Sequence, residues 1–429
     1  MEIISDLHIH SRHSQATSIN LDIDALEKYA KLKGVNLLGT GDFTHPKWIL
    51  ELKEKLTEDS SGILRTKSGF PFVLQTEISL IYTQGGKGRR IHNIVIAPDF
   101  DTVKQITEYL LTKGRIDYDG RPIFKIPCPE FVENLRKINP DIEVIPAHIW
   151  TPWFSMFGSK SGFDTVKECF QDQTKHIHSL ETGLSSDPAM NWRLSQLDKY
   201  NLVSFSDLHS FWPWRLGREA TIFDLKKLDY KSLLQALRTG EDIKSTIEVD
   251  PNYGKYHFDG HRKCNICLNP KETLKQKGIC PVCGKDLTIG VAYRVEQLAD
   301  REEGFKPKNV KPFQALLPLS ELIAHIVGTA LTSKKVWEIY NQFTSGSSEY
   351  DILLNKPESE LIKIHEKIGK AVILNRDGLI KVSPGYDGEY GIPLLGEQKP
   401  EKKTKIISKN NPTTKNNSGR IRQLGLNEF

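Results

Sequence analysis

The chain has 429 residues, about three ordinary domain lengths, and its 38 % hydrophobic content suffices for a sizeable core. A net charge of +5 is too modest to argue for a nucleic-acid partner by itself. No apolar run of about eighteen residues occurs, which excludes a helical membrane span. The first residues read straight into a strand without a signal-peptide pattern, so the expectation is a soluble cytoplasmic protein.

In chain order, "MEIISDLHIH" comes first, with Ile3 and Ile4 leading into Asp6, His8 and His10. Alternate residues of a strand share one face, and two imidazoles on one face can hold a divalent metal if other segments add ligands. "LDIDALEKYAKLKG" places Leu21, Ala25, Leu26 and Tyr29 at helical spacing and closes on Gly34. Further strand-like segments then end in possible ligands. "VNLLGTGD" ends in Asp42, "PFVLQTE" in Glu77, "EVIPAHIW" carries His148, "IHSLETG" carries Glu181, and "LVSFSDLHS" ends in Asp207 and His209. His92 instead precedes its apolar run, "HNIVIAP", and is expected on the hairpin partner of the Glu77 strand. Strands alternating with helices predict a mainly parallel sheet or barrel, with functional groups at the C-terminal strand ends.

"YKSLLQALRTG" reads as a helix with a glycine stop, among the closing elements of a first domain over 1–250. Six cysteines are too few for a disulfide framework, and four form two pairs, Cys264 with Cys267 and Cys280 with Cys283. Their spacing is that of a four-cysteine zinc ribbon, expected over 255–292 and holding one structural zinc. His261, Arg262 and Lys263 flank it on the basic side. Residues 293–395 read as a mainly helical domain, with a capped start in "TSKKVWEIYNQF" and a proline start in "PESELIKIHEKIGKAVIL". "GLIKVSPGYDGEYGIP" reads as a loop with a short strand. Residues 396–421 form a basic, apolar-poor stretch expected to be a disordered linker.

Buried imidazoles and carboxylates need partners, and a cluster at one barrel mouth is explained by divalent metals. The motifs "DLHIHS", "GTGD", "TE", "HN", "PAH" and "SDLH" resemble the PHP (polymerase and histidinol phosphatase) phosphoesterases over roughly residues 1–250. The resemblance implies an α/β fold, a distorted (β/α)7 barrel, with up to three metals. His8, His10, Glu77 and Asp207 would hold one, and Glu77 would bridge to a second on His92 and His148. His209 would serve a third. The family's usual histidine at that site reads here as Asp42, so the site either binds weakly or prefers a harder metal. His13 and His45 stand near. Mixed imidazole and carboxylate ligands suit zinc, manganese or iron better than magnesium alone.

Two aromatic segments follow ligand positions. "HIWTPWFSMFG" contains Trp150, Trp153, Phe154 and Phe157; "SDLHSFWPWRLGR" contains Phe211, Trp212, Trp214 and Arg215. Such a wall could stack an extruded base, with Ser185, Ser186 and Asn191 of "GLSSDPAMNWR" bonding its edge. With "HIWTPWFSMFGSKSGFD", "ETGLSSDP" and "SPGYDGEYG", nearly the whole chain is similar to the endonuclease Q family. That resemblance implies incision of DNA on the 5′ side of uracil, hypoxanthine, xanthine or an abasic site by metal-activated water. The alternative is a PHP phosphatase for small phosphomonoesters. Residues 422–429 include Gln423, Leu426 and Phe429 and resemble the motif that docks repair enzymes on a sliding clamp. A monomer acting at the nucleoid is expected.

Overall fold

The computed structural model describes residues 1–395; the expected linker at 396–421 and the clamp motif at 422–429 lie outside them. Seven strands build the barrel: β1 (Glu2–Asp6), β2 (Leu37–Gly39), β3 (Pro71–Gln84), β4 (Lys87–Ala97), β5 (Glu143–Pro146), β6 (Ser179–Glu181) and β7 (Asn201–Val203). β1, β2 and β3 run parallel. β3 and β4 then form a long antiparallel hairpin that sets Ser79 opposite His92, as the reversed position of His92 implied. β4 pairs antiparallel with β5, and β6 runs parallel to β7.

Two seams remain. One is bridged where the Ile149 amide donates to the Glu181 carbonyl, 3.0 Å, the other where the His10 amide donates to the Leu208 carbonyl, 3.2 Å. Closure by so few bonds is what distorts the barrel, and the seams fall at the segments that carry candidate ligands. Beyond β1 the sheet continues through β8 (Ala220–Asp224) and β9 (Ile243–Glu248), both antiparallel, to β10 (Phe313–Ala315).

The pleat sends Ile3, Leu37, Val73, Ile94, Ile145 and Val203 into one buried cluster, sealed by Leu233 and Leu237. Each such side chain contributes roughly 1.5–3 kcal/mol of burial. Leu233 and Leu237 come from α2 (Tyr230–Thr239), capped by the Asp229 carboxylate on the Ser232 amide. The earlier helix, α1 (Ile23–Lys33), is capped by Asp22 on the Ala25 amide and ends at Gly34.

The helical region packs against α1 through buried charge. Lys33 Nζ donates to Glu349 Oε1 at 2.6 Å and to the Pro213 carbonyl at 2.8 Å, and Tyr340 donates to the other Glu349 oxygen at 2.7 Å. Where the sequence suggested one helix after Pro357 there are two, Glu358–Ile364 and Glu366–Arg376, broken at an extended His365. The two cross so closely that a side chain at Gly369 would collide with the Leu361 backbone, which a continuous helix could not achieve. No helix among the described residues is long and apolar enough to cross a membrane.

Candidate metal centre and the cavity beside it

β1 ends at Asp6, so His8 and His10 stand just past the strand, at its C-terminal end. Asp6 does not join them. It accepts from the Ser206 and Gly217 amides, at 3.0 and 2.9 Å, and ties the strand to the loop after β7. His8, His10, Glu77 and Asp207 bring one ligand atom each to within 4.8 Å of one another, and Glu77 joins His92 and His148 in a second such group. Around Glu77, His92 Nδ1 lies 2.8 Å, His148 Nε2 3.2 Å and His8 Nε2 3.5 Å from Oε1, and His10 Nε2 3.4 Å from Oε2. His10 Nε2 also lies 3.0 Å from Asp207 Oδ1.

Three of the imidazoles are aimed by what holds Nδ1. His8 Nδ1 donates to Glu181 at 2.9 Å, and Glu181 also accepts the His148 amide at 2.6 Å. His10 Nδ1 lies 3.1 Å from Asp42 Oδ1, and His148 Nδ1 3.1 Å from Ser155 Oγ. Fixing Nδ1 as the donor leaves Nε2 with a lone pair facing the centre, the arrangement that supports a metal-ligating histidine. His8 Nε2 and His92 Nδ1 are buried without a hydrogen-bond partner among the described residues. Orphaned buried nitrogens next to shared carboxylates fit a pair of divalent ions.

The charges agree. Burial opposes ionisation of Glu77, but His92, Arg121 and His8 hold its carboxyl well below the usual carboxylate range. Asp207 is held low against burial by His8, His10 and His209. Burial pushes His92 down to about 4, so at neutral pH its ring is neutral and free to ligate. The backbone is strained at these positions: Asp42, His148 and Asp207 have φ of 40°, 30° and 48°. Non-glycine residues in that region are uncommon and cluster where function fixes the geometry. Gly183, at φ 65°, is required because a Cβ there would strike His148.

Asp42 and His209 join neither ligand group. The second Asp42 oxygen is filled by the Ser11 amide and hydroxyl, both at 2.6 Å, and by Ser14 Oγ at 2.9 Å, so Asp42 positions His10. His209 packs on the His10 ring and donates from Nδ1 to the Asp207 carbonyl at 3.0 Å. His13 and His45 stack on each other, centroids 4.3 Å apart. Glu181, read as a strand end but not as a site residue, proves to orient two ligands at once; its place after an apolar run was the available signal.

A cavity of about 490 Å³ opens beside His92, His148 and Asp207, lined also by Arg121, Trp153, Phe154, Ser185, Tyr256 and Tyr390. Of the expected base contacts, Trp153, Phe154 and Ser185 line it and the others do not. Trp150 is buried against Phe157 and donates to Asn191, 2.8 Å, inside the core. Trp212 stacks on Trp214 and Trp337, and Arg215 sits in the same turn.

The chain is similar to the crystal structure of the novel lesion-specific endonuclease PfuEndoQ from Pyrococcus furiosus, with a TM-score of 0.83 and 31 % identity. The match covers 92 % of this chain and 96 % of that one. The chain belongs to the endonuclease Q family. A second endonuclease Q structure, a complex with a 27-mer duplex bearing an abasic lesion at the active site, matches at 32 % identity and the same TM-score over 97 % of its chain. Two uncharacterized proteins are also similar. MJ0043 of Methanocaldococcus jannaschii is 32 % identical over 303 residues, and the match spans only 36 % of its length. YqxK of Bacillus subtilis is 28 % identical over 411 residues, 98 % of its length. Residues 318–379 match the MJ0043 C-terminal domain family.

In this endonuclease Q family chain a further donor cluster lies in the cysteine region, on the hairpin of Asp259–His261 and Ile266–Leu268 and the segment after it. His261, Cys264, Cys280 and Cys283 come together, with His261 Nδ1 3.3 Å from Cys283 Sγ. Cys267, expected as the fourth ligand, stays outside that group, and burial pushes its thiol up to about 12. The one-histidine, three-cysteine set fits zinc equally well. His261 stands three residues before Cys264, the same spacing as a CxxC pair, and that was the legible clue.

Proposed function

We propose that the chain is a metal-dependent endonuclease of DNA repair, hydrolysing a phosphodiester on the 5′ side of a deaminated base or an abasic site. The observation that carries this is the cavity, large enough for a nucleoside, lined by the donors His92, His148 and Asp207 and walled by Trp153, Phe154, Tyr256 and Tyr390. Phe154 packs on the His92 ring, centroids 4.7 Å apart, so a group stacked on that wall lies next to the ligands. Ser185 at the rim supplies a hydroxyl for the edge of a base. His8, His10, Glu77 and Asp207 would hold one divalent ion, and Glu77, His92 and His148 a second. Such ions neutralise phosphate oxygens and lower the pKa of an attacking water. The protein holds both carboxylates ionised, and the Nδ1 partners of His8, His10 and His148 turn Nε2 toward the centre.

Duplexes carrying one uracil, hypoxanthine or abasic site, labelled at one end, test the reading. Incision immediately 5′ of the lesion, lost with chelator and absent on undamaged duplex, is the expected result. Release of phosphate from small monoesters without duplex incision would establish the phosphatase instead. Gln423, Leu426 and Phe429 would dock on a sliding clamp at the nucleoid. Deleting 422–429 should abolish clamp binding and leave incision of short duplexes unchanged; clamp affinity that survives the deletion removes this role.

A further inference from the structure

One cation stands among the metal donors. Arg121 Nη1 donates to Glu77 Oε2 at 3.1 Å, and the side chain faces the cavity with 23 % of its surface exposed. Its position is built. Asp119, itself buried, accepts the Arg121 amide at 3.1 Å and the Gln15 amide at 3.2 Å. The Gly120 amide donates to the His13 carbonyl, and the Pro122 carbonyl accepts the Ser79 amide, 3.1 Å. Strand Ile123–Phe124 then pairs with β3 at Ser79 and Leu80, two residues beyond Glu77. The loop is thereby anchored on both sides, and the guanidinium is delivered to one place.

That place is costly unless the charge is used. A guanidinium on Glu77 competes for the carboxylate that both ligand groups share, which weakens metal binding. An anion arriving in the cavity changes the balance. Only Nη1 has a partner among the described residues, so the other N–H groups of the fork remain for an incoming oxygen. In phosphodiester hydrolysis, negative charge grows on the non-bridging oxygens as the water oxygen bonds to phosphorus and the ester bond breaks. One water proton ends on the departing oxygen, the other is released to solvent from the new phosphomonoester, and Arg121 keeps all of its own. A fixed donor aimed at those oxygens stabilises the transition state more than the ground state. Lys255, the other cation lining the cavity, lies over the Tyr390 ring, with Nζ 4.6 Å from its centroid.

We propose that Arg121 is a catalytic residue that donates to one non-bridging oxygen of the scissile phosphate. This rests on reading the site as a DNA phosphodiesterase. The test compares single-turnover incision by the full chain and by Arg121→Ala on an abasic-site duplex. The linkage 5′ of the lesion is either an ordinary phosphate or a phosphorothioate of one pure configuration. The variant should be slower by about 100-fold on phosphate, the loss typical of removing one such donor. Its metal content should not fall below the wild type's, and its duplex affinity should match. With one phosphorothioate configuration the gap should shrink to a few-fold, and with the other it should persist. An unchanged gap on phosphate and both phosphorothioates would overturn the assignment, as would a variant that has lost metal in proportion to rate. A wild type that does not cut the lesion duplex at all would instead sink the endonuclease reading.

Discussion

Two aromatic segments of nearly the same composition follow histidines at the barrel mouth, and they serve opposite ends. After His148, the turn at Trp153 and Phe154 leaves Trp153 37 % exposed on the cavity, held by the left-handed backbone of Phe154. After His209, Phe211, Trp212 and Trp214 close on Tyr29 and Trp337 and carry the helical region. What separates them is the surface opposite. The first segment faces solvent and a ligand space; the second faces a helix, Lys334–Phe343, that supplies its own tryptophan. Aromatic content near a ligand therefore says little about stacking on substrate until the facing element is known.

The sharpest way to break this comparison is through the histidines themselves. His148→Ala should remove one of the two ions proposed for the barrel mouth and lower incision at least about 1,000-fold, whereas His209→Ala should retain both and cost no more than about 10-fold. Metal analysis beside single-turnover rates decides it, and equal metal loss in both variants would make the segments equivalent. Next in size is Trp214→Ala, which opens a cavity in a packed cluster and should destabilise the fold by about 3–5 kcal/mol in denaturant titration. Trp153→Ala should shift stability by less than about 1 kcal/mol while lowering lesion incision roughly 10-fold or more, the range expected of a stacking contact. Activity that falls only with stability in both variants would place Trp153 in the core. The smallest effect concerns the cysteine region. His261→Ala should release zinc and Cys267→Ala should keep it, with a thiol-insensitive zinc assay as the readout; zinc lost from Cys267→Ala would restore the four-cysteine site.

Much of the barrel was legible. The ligand positions His148 and Asp207 could be read because apolar runs stop just before them, and the Glu77–His92 hairpin because the order was reversed; Glu77, expected at a strand end, instead sits in the middle of β3, whose apolar run continues past it. What failed to show was which polar side chains face the metals and which stand behind them. Asp42 lies just past β2 and Glu181 at the end of β6, and each spends its oxygens on an imidazole or a backbone amide. Spacing along a strand fixes the face and not the distance across the barrel. Arg121 escaped notice because it lies on a loop without a motif, placed by Asp119 and by pairing with β3. His261 was discounted because two CxxC pairs already satisfied the expected count.

The buried pair of Lys33 and Glu349 bears on modularity. Every candidate metal donor at the barrel mouth precedes residue 210, so a shortened gene ending after β10 would still encode all of them, though not the cavity wall at Tyr390. It would also strand the Lys33 ammonium, 1 % exposed, behind α1 with only the Pro213 carbonyl to hold it. Leaving one member of a buried ion pair alone costs about 3–5 kcal/mol, comparable to the whole stability of many small domains. Shuffling of such a barrel between genes would thus have to carry the helices along, or replace the lysine at the same step.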